Sequence, residues 1–228
     1  DDDTVMISYD IPINFSLGWD TTLCIGDSIL LSAPAHNATW LWHNGNTDST
    51  MYANQSGTYW VSANNTCGTF NDTLKIESED IPDLSHPVSD TAICIGEEFT
   101  VLVPKNNASY IVWNDGTRDY QRTFVDQNTY NYTLYNICGQ TTDSFTLAVE
   151  EPLEFGLGND TIICYGEQIV KELDYPNHTY LWNNGSEENT RTITRTGIYG
   201  VSIWTPAQCE SYDELEVTDC NAQLFIPN

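Results

Sequence analysis

The sequence predicts an all-β chain of three tandem antiparallel β-sandwiches, on three observations. A frame that runs from a tryptophan to a tyrosine 17 residues later occurs three times, at Trp42 to Tyr59, Trp113 to Tyr130 and Trp182 to Tyr199. Landmarks recur at a period of about 70 residues: Pro12, Pro82 and Pro152; Cys24, Cys94 and Cys164; Cys67, Cys138 and Cys209. No stretch sustains a helical period, whereas short alternating runs rich in β-branched and aromatic residues are bounded by turn residues, which is the pattern of small sandwiches.

The period divides the chain into a first module at 11–81, a second at 82–151 and a third at 152–221, with a terminal segment at 222–228. Residues 1–10 read as the last strand of a preceding repeat, because Asp3-Thr4-Val5 matches Asp72-Thr73-Leu74 and Asp143-Ser144-Phe145 near the ends of later modules.

Each module repeats one order of signals. The proline fixes φ and pushes the residue before it towards extended geometry, so neighbouring modules are expected to be held in a fairly straight, semi-rigid string. Next comes an Asp-Thr pair followed by Cys-x-Gly and an acid (DTTLCIGD, DTAICIGE, DTIICYGE), in which the glycine suits a tight turn into a strand. The central strand ends at Trp42, Trp113 or Trp182. An Asn-Gly or Asp-Gly dipeptide then supplies the positive φ of a tight hairpin (Asn44-Gly45, Asp115-Gly116, Asn184-Gly185). From Tyr59, alternation places Tyr59, Val61 and Ala63 on one face and Trp60 and Ser62 on the other. The repeated aromatics Trp42, Tyr59, Trp113, Tyr130, Trp182 and Tyr199 are therefore expected in the cores.

Six of the seven cysteines fall two to a module, which predicts the disulfides Cys24 with Cys67, Cys94 with Cys138 and Cys164 with Cys209, and an oxidising compartment. A metal site does not fit, because there is no CxxC and the histidines His36, His43, His86 and His178 do not recur with the cysteines. Cys220 is left over, and its expected partner lies beyond Asn228. Closing a loop of this length is worth about 4 kcal/mol on the chain-entropy model, comparable to the net stability of a small domain. Each bridge is thus expected to be structural and to tie one end of its sandwich.

With 33 acidic against 7 basic residues the formal charge is -26, which repels nucleic acid and anionic membrane surfaces. No apolar run reaches the length of a membrane span and no charged-then-apolar leader opens the chain. Catalysis is not expected: the nucleophile-elbow, zinc-protease, phosphate-loop and dinucleotide motifs do not occur. No cofactor is expected either. Structural calcium is a secondary reading of the acids near the junctions (Glu79, Asp80, Glu150, Glu151), set against a plain solvated acidic surface. Trp60, which faces outward by alternation, and Trp19 and Trp204, which have no counterparts in register, are candidate carbohydrate-stacking residues.

The order Cys, Trp, Tyr, Cys resembles that of immunoglobulin-like domains, except that the second cysteine follows the tyrosine by 8 to 10 residues rather than two. The fuller pattern, D-T-x-x-C-x-G, then Y-x-W-x-N-G, S-G-x-Y-x-V and a closing cysteine before D-x-L-x-V, resembles the Ig-like and PKD-like repeats of large Bacteroidota cell-surface proteins. Module 2 departs from it with Asn128 at the corner glycine and Ile111 at an aromatic position. The last residues, CNAQLFIPN, resemble the lead-in to a gliding motility-associated C-terminal domain, which makes 222–228 a linker to a C-terminal sorting domain.

This resemblance implies a protein exported across the outer membrane by the type IX secretion machinery, its partner through that domain, and displayed at the cell surface. The three modules would be a non-enzymatic, monomeric stalk of an adhesin serving gliding motility or attachment, with surface glycans or the substratum bound by other regions. The alternative is a carbohydrate-binding array. In the resembled group Asp-Thr/Ser triplets carry O-linked glycans, which nominates Thr4, Thr21, Ser28, Thr73, Thr91 and Thr161; the competing reading is that these residues cap turns at repeated positions.

Overall fold

Short strands separated by glycine, asparagine and aspartate turns give every repeat the same six-strand plan. In the computed structural model, which describes residues 9–35 and 37–220, the first module contributes β1 (Thr21–Cys24), β2 (Ile29–Ser32), β3 (Thr39–Trp42), β4 (Thr50–Ala53), β5 (Gly57–Asn65) and β6 (Gly68–Glu79). The second contributes β7 (Thr91–Cys94), β8 (Phe99–Leu102), β9 (Tyr110–Trp113), β10 (Gln121–Phe124), β11 (Asn128–Asn136) and β12 (Gly139–Glu150). The third contributes β13 (Thr161–Ile163), β14 (Ile169–Glu172), β15 (Thr179–Trp182), β16 (Thr190–Ile193), β17 (Gly197–Trp204) and β18 (Glu210–Asp219). Asp3-Thr4-Val5, His36 and the segment 222–228 lie outside the described residues.

Each module sets a four-stranded sheet against a two-stranded one, so the chain is all-β and made of three immunoglobulin-like sandwiches. In module 1 the larger sheet has the order β1-β6-β5-β3 and the smaller one pairs β2 with β4. Modules 2 and 3 repeat this as β7-β12-β11-β9 with β8-β10, and β13-β18-β17-β15 with β14-β16. The first strand of each module runs parallel to its last, with Cys24 opposite Glu79 and Cys94 opposite Glu150. The chain forms two compact units. One comprises residues up to His86, Pro104–Arg118 and Tyr132–Thr142; the other comprises Pro87–Val103, Asp119–Asn131 and the chain from Asp143 on.

The core follows the alternation. Tyr59, Val61 and Ala63 are buried on β5, with Trp42, Leu31, Leu74 and Ile76 packed around them. Trp182, Ile193, Val201, Ile203, Leu215 and Val217 do the same in module 3. Burying an indole is favourable only if its N–H finds an acceptor. Trp42 Nε1 donates to the Asp48 carbonyl at 2.7 Å and Trp182 Nε1 to the Glu188 carbonyl at 2.8 Å. The tyrosine that closes each frame donates its hydroxyl to the carbonyl four residues earlier: Tyr59 to Gln55, Tyr130 to Asp126 and Tyr199 to Arg195, at 2.8–2.9 Å. Burial, with Asp126 beside it, pushes the Tyr130 phenol above its usual range. These hydroxyl bonds pin the turn that starts β5, β11 and β17, in the manner of the tyrosine corner of immunoglobulin folds.

Two expectations need correction. The turn after Trp42 is tight, with Gly45 at φ 86° and its N–H on the Trp42 carbonyl at 2.9 Å, but it does not make a hairpin. The chain crosses to the other sheet, where β4 pairs with β2, and β3 pairs instead with β5. Met51 and Ala53 are buried on β4, so the crossing lets that strand cover the core from the second sheet.

The second correction concerns the cysteines. Bridges link Cys24 to Cys138, Cys94 to Cys209 and Cys164 to Cys220, not Cys24 to Cys67, Cys94 to Cys138 or Cys164 to Cys209. The count of one bridge for each module's first cysteine holds, but the partner of Cys24 and of Cys94 belongs to the following module. Strand geometry forces this. Cys24 stands beside the last residue of β6 and Cys67 just before its first, and 12 residues at about 3.3 Å each separate them by roughly 40 Å. Bridged Cα atoms lie within about 7 Å. Cys220 is therefore not left over; Ile163 pairs with Asp219, which sets Cys164 opposite Cys220. The free thiol among the described residues is Cys67, and it is exposed.

Candidate functional site

The densest constellation of repeated polar chemistry surrounds the bridged cysteines. At the first bridge, the end of β6 leads through Asp80, Ile81 and Pro82 into module 2, and that segment is held by side chains of the module it enters. Asn136 Nδ2 donates to the Asp80 carbonyl at 2.6 Å, Asn107 Nδ2 to the same carbonyl at 3.0 Å, and Thr141 Oγ1 to the Pro82 carbonyl at 2.7 Å. The side-chain Oδ1 of Asn136 in turn accepts the backbone N–H of Cys138 at 2.9 Å, which fixes that cysteine beside Cys24. Cys138 Sγ lies 3.4 Å from the Glu79 carbonyl.

The second bridge is built alike in outline but with different side chains. Cys209 Sγ lies 3.7 Å from the Glu150 carbonyl, the Glu150 carboxylate accepts the Ala207 N–H at 3.1 Å, and Thr205 Oγ1 accepts the Cys209 N–H at 3.2 Å where module 2 uses the Asn136 side chain. Backbone N–H groups that would otherwise be stranded at a junction are satisfied by these acceptors. The acids weighed as calcium ligands serve here as well: Glu79 accepts from Asn136 at 3.2 Å and Asp80 accepts the Ile81 N–H at 2.8 Å. Among the described residues, no group of three or more His, Cys, Asp or Glu is arranged to hold a metal ion.

The spacing of the repeated landmarks does not by itself mark Asn136 or Thr141 as a clamp. The signal was present, since Asn65-Thr66-Cys67-Gly68 and Asn136-Ile137-Cys138-Gly139 share Asn-x-Cys-Gly.

The Asp-Thr triplets hold the sandwiches together through the aspartate. Asp20 accepts the backbone N–H of Lys75 at 2.9 Å, Asp90 that of Thr146 at 2.7 Å and Asp160 that of Glu216 at 2.9 Å, each reaching the last strand of its own module. Asp72 and Asp213 accept the N–H of Leu17 and Leu157 at 2.8 and 2.7 Å. Of the candidate hydroxyls, Ser28 and Thr73 are exposed, Thr21, Thr91 and Thr161 are half-buried at strand starts, and Thr4 is outside the described residues.

The candidate stacking residues are dispersed. Trp19, 93% exposed, precedes β1; Trp60, 41% exposed, lies on β5 opposite Thr73; Trp204 is half-buried at the end of β17 beside His178, Thr179 and Tyr180.

No family model matches the chain, and no curated protein matches it. Among solved structures, an I-band fragment of titin is 13% identical with a TM-score of 0.45, covering 88% of this chain and 95% of that one. Extracellular domains 3–5 of Drosophila OTK are 12% identical with a TM-score of 0.44, covering 89% and 94%. Sidekick-1 immunoglobulin domains 1–4 are 12% identical with a TM-score of 0.37, covering 91% and 73%.

Proposed function

We propose that these repeats are a non-enzymatic, extracellular spacer of a cell-surface adhesin. The observation that carries the reading is the bridging pattern. A module that served as an independent binding unit has no need of a covalent tie to its neighbour, whereas a load-bearing element gains from one. Cys24–Cys138 and Cys94–Cys209 overlap in sequence, so the chain between Cys24 and Cys209 is closed into interlocked covalent loops. Disulfides persist in oxidising compartments, which supports a location outside the cytoplasm. The formal charge of -26 keeps such a string soluble and disfavours nucleic acid or anionic membrane as partners.

The finer proposal rests on the resemblance of the repeats and of CNAQLFIPN: export by the type IX secretion machinery through a C-terminal sorting domain, service in gliding motility or attachment, and O-linked glycans on exposed hydroxyls such as Ser28 and Thr73. Mass spectrometry of the natively exported protein tests the last point. Glycan mass on these residues supports it, and bare Asp-Ser/Thr peptides count against it.

The exposure of Trp19 and Trp60 favours a second reading, a carbohydrate-binding array. A glycan array probed with the 228-residue chain separates the two. The spacer reading expects no glycan signal. A signal abolished by Trp60→Ala or Trp19→Ala replaces it with the array.

A further inference from the structure

The Cys24–Cys138 and Cys94–Cys209 bridges have the same three parts: the first cysteine of a module, the end of that module's last strand, and the second cysteine of the module that follows. Cys24 lies opposite Glu79 on β6 while Cys138 Sγ sits 3.4 Å from the Glu79 carbonyl. Cys94 lies opposite Glu150 on β12 while Cys209 Sγ sits 3.7 Å from the Glu150 carbonyl. Module 3 departs from this arrangement. Cys220 occupies the place that Glu79 and Glu150 take in the other modules, and by bonding Cys164 it removes the thiol that would reach onward.

Module 1 shows the receiving half of the same arrangement. Cys67 Sγ lies 3.3 Å from the Asp10 carbonyl, as Cys138 does from Glu79. Asn65 repeats the clamp of Asn136: its Nδ2 donates to the Ile11 carbonyl at 2.9 Å and its Oδ1 accepts the Cys67 N–H at 2.9 Å. Thr66 Oγ1 donates to the Asp10 carboxylate, and Asn37 Nδ2 does so at 2.8 Å. The site thus does not rest on one exposed thiol: the two other copies within this chain are bonded through the same atoms, to a cysteine of one defined position.

We propose that Cys67 is the acceptor of a disulfide from a preceding module of the same kind, given by the cysteine that occupies the position of Cys24 and Cys94 in a D-T-x-x-C-x-G segment. Covalent assembly is then directional. Each module receives a bridge at its second cysteine, modules 1 and 2 give one from their first, and module 3 passes none onward because Cys220 seals Cys164. The step consumes two thiols. The thiolate of one attacks the disulfide of an oxidised dithiol oxidoreductase to give a mixed disulfide; the second thiolate displaces the enzyme sulfur. The new S–S bond forms, and the two electrons and two protons leave on the reduced enzyme. The inference concerns how modules are joined and stands whether or not the repeats act as spacers.

The test is disulfide mapping of the natively exported protein, alkylated before any reduction and digested without reductant. The expected result is a Cys67 peptide joined to a D-T-x-x-C-x-G peptide from outside residues 1–228, with Cys67 protected from alkylation. Recovery of Cys67 as the alkylated thiol, as a glutathione adduct, or joined to Cys67 of a second copy overturns the proposal. A second arm needs no native source: in a chain where residues 82–150 are repeated ahead of residue 11 in place of 1–10, Cys67 becomes resistant to maleimide and maps to the added copy of Cys94. Labelling of Cys67 unchanged from that of the 228-residue chain overturns it equally.

Discussion

Cys24 and Cys67 flank opposite ends of β6, Cys24 beside Glu79 and Cys67 just before Gly68, so the two cysteines of module 1 cannot meet without unravelling the strand between them. A non-reducing digest is accordingly expected to yield Cys24–Cys138, Cys94–Cys209 and Cys164–Cys220 peptides, and no Cys24–Cys67 peptide. Cys138→Ser opens a loop spanning 114 residues, for which the chain-entropy model gives an upper value of about 4–5 kcal/mol. The measurement is the urea midpoint of the oxidised chain, which falls for C138S and stays unchanged for C67S. Equal losses from the two variants would restore pairing within the module.

Two glycines that follow clamp cysteines separate backbone strain from crowding at the junction. Gly68 and Gly139 have φ of 137° and 153°, so alanine is strained at either position, at a cost of roughly 1–2 kcal/mol. Only at Gly139 would the added Cβ also meet a neighbour, Ile81 Cγ2 at 3.0 Å; at Gly68 nothing lies within 4 Å. Gly139→Ala is expected to destabilise more than Gly68→Ala in paired urea titrations, and Ile81→Ala is expected to remove most of the difference. Equal costs would show that Ile81 does not crowd that residue.

What the residues disclosed, and what they hid, follows from the range of each interaction. The turn at Gly45, the tyrosine corner at Tyr59 and the burial of Val61 and Ala63 are set by near neighbours, and spacing alone made them legible. The same turn, Trp42 to Asn46, would serve a hairpin or a crossover equally well; which one forms depends on where the apolar face of β4 can be buried, a matter of the whole module. The disulfide partners were hidden for a similar reason. Counting two cysteines per period places them in one module, but their reach is decided by the parallel pairing of β1 with β6, which local sequence does not announce. Cys220 was the clue: it sits where Glu79 and Glu150 stand in the other modules, next to the first cysteine rather than far from it.

Trp42 is 1% exposed, and its indole N–H is satisfied by the Asp48 carbonyl. Trp42→Ala removes the largest side chain of that core and is expected to cost about 3–5 kcal/mol, including the cavity it leaves. For a module of this size that is most of its stability. Unfolding followed by far-ultraviolet circular dichroism should become two-step in the variant, with the module 1 transition moved to lower urea. A single transition at the wild-type midpoint would place Trp42 outside the core.

The Asp-Thr pairs divide into a structural residue and an accessory one. Asp90 accepts the Thr146 N–H at 2.7 Å, a charge-assisted bond to the strand that closes the module, worth about 1.5–3 kcal/mol. Thr91 begins β7 and is half-buried. Asp90→Ala is expected to lower the urea midpoint, and Thr91→Ala to leave it within about 0.5 kcal/mol of wild type. Loss of glycan mass from the natively exported Thr91→Ala protein, with stability intact, would assign glycosylation to the hydroxyl and folding to the carboxylate. Equal destabilisation by both variants would make the pair a single turn cap.

The overlapping bridges set a mechanical limit. When the reduced chain unfolds under tension, the roughly 185 residues from Cys24 to Cys209 extend to about 630 Å at ~3.4 Å per residue. With the bridges closed, the shortest covalent route between those sulfurs passes from Cys24 to Cys138, backwards through about 44 residues to Cys94, and across to Cys209. That route caps the same interval at about 150 Å even if every strand is lost. Pulling single molecules between handles attached at the two ends should show this ceiling in oxidising buffer and its release on adding reductant. Cys94→Ser should release part of it, because only the Cys24–Cys138 shortcut then remains. A contour length that reductant leaves unchanged would contradict the interlocked loops and, with them, the load-bearing reading of the repeats.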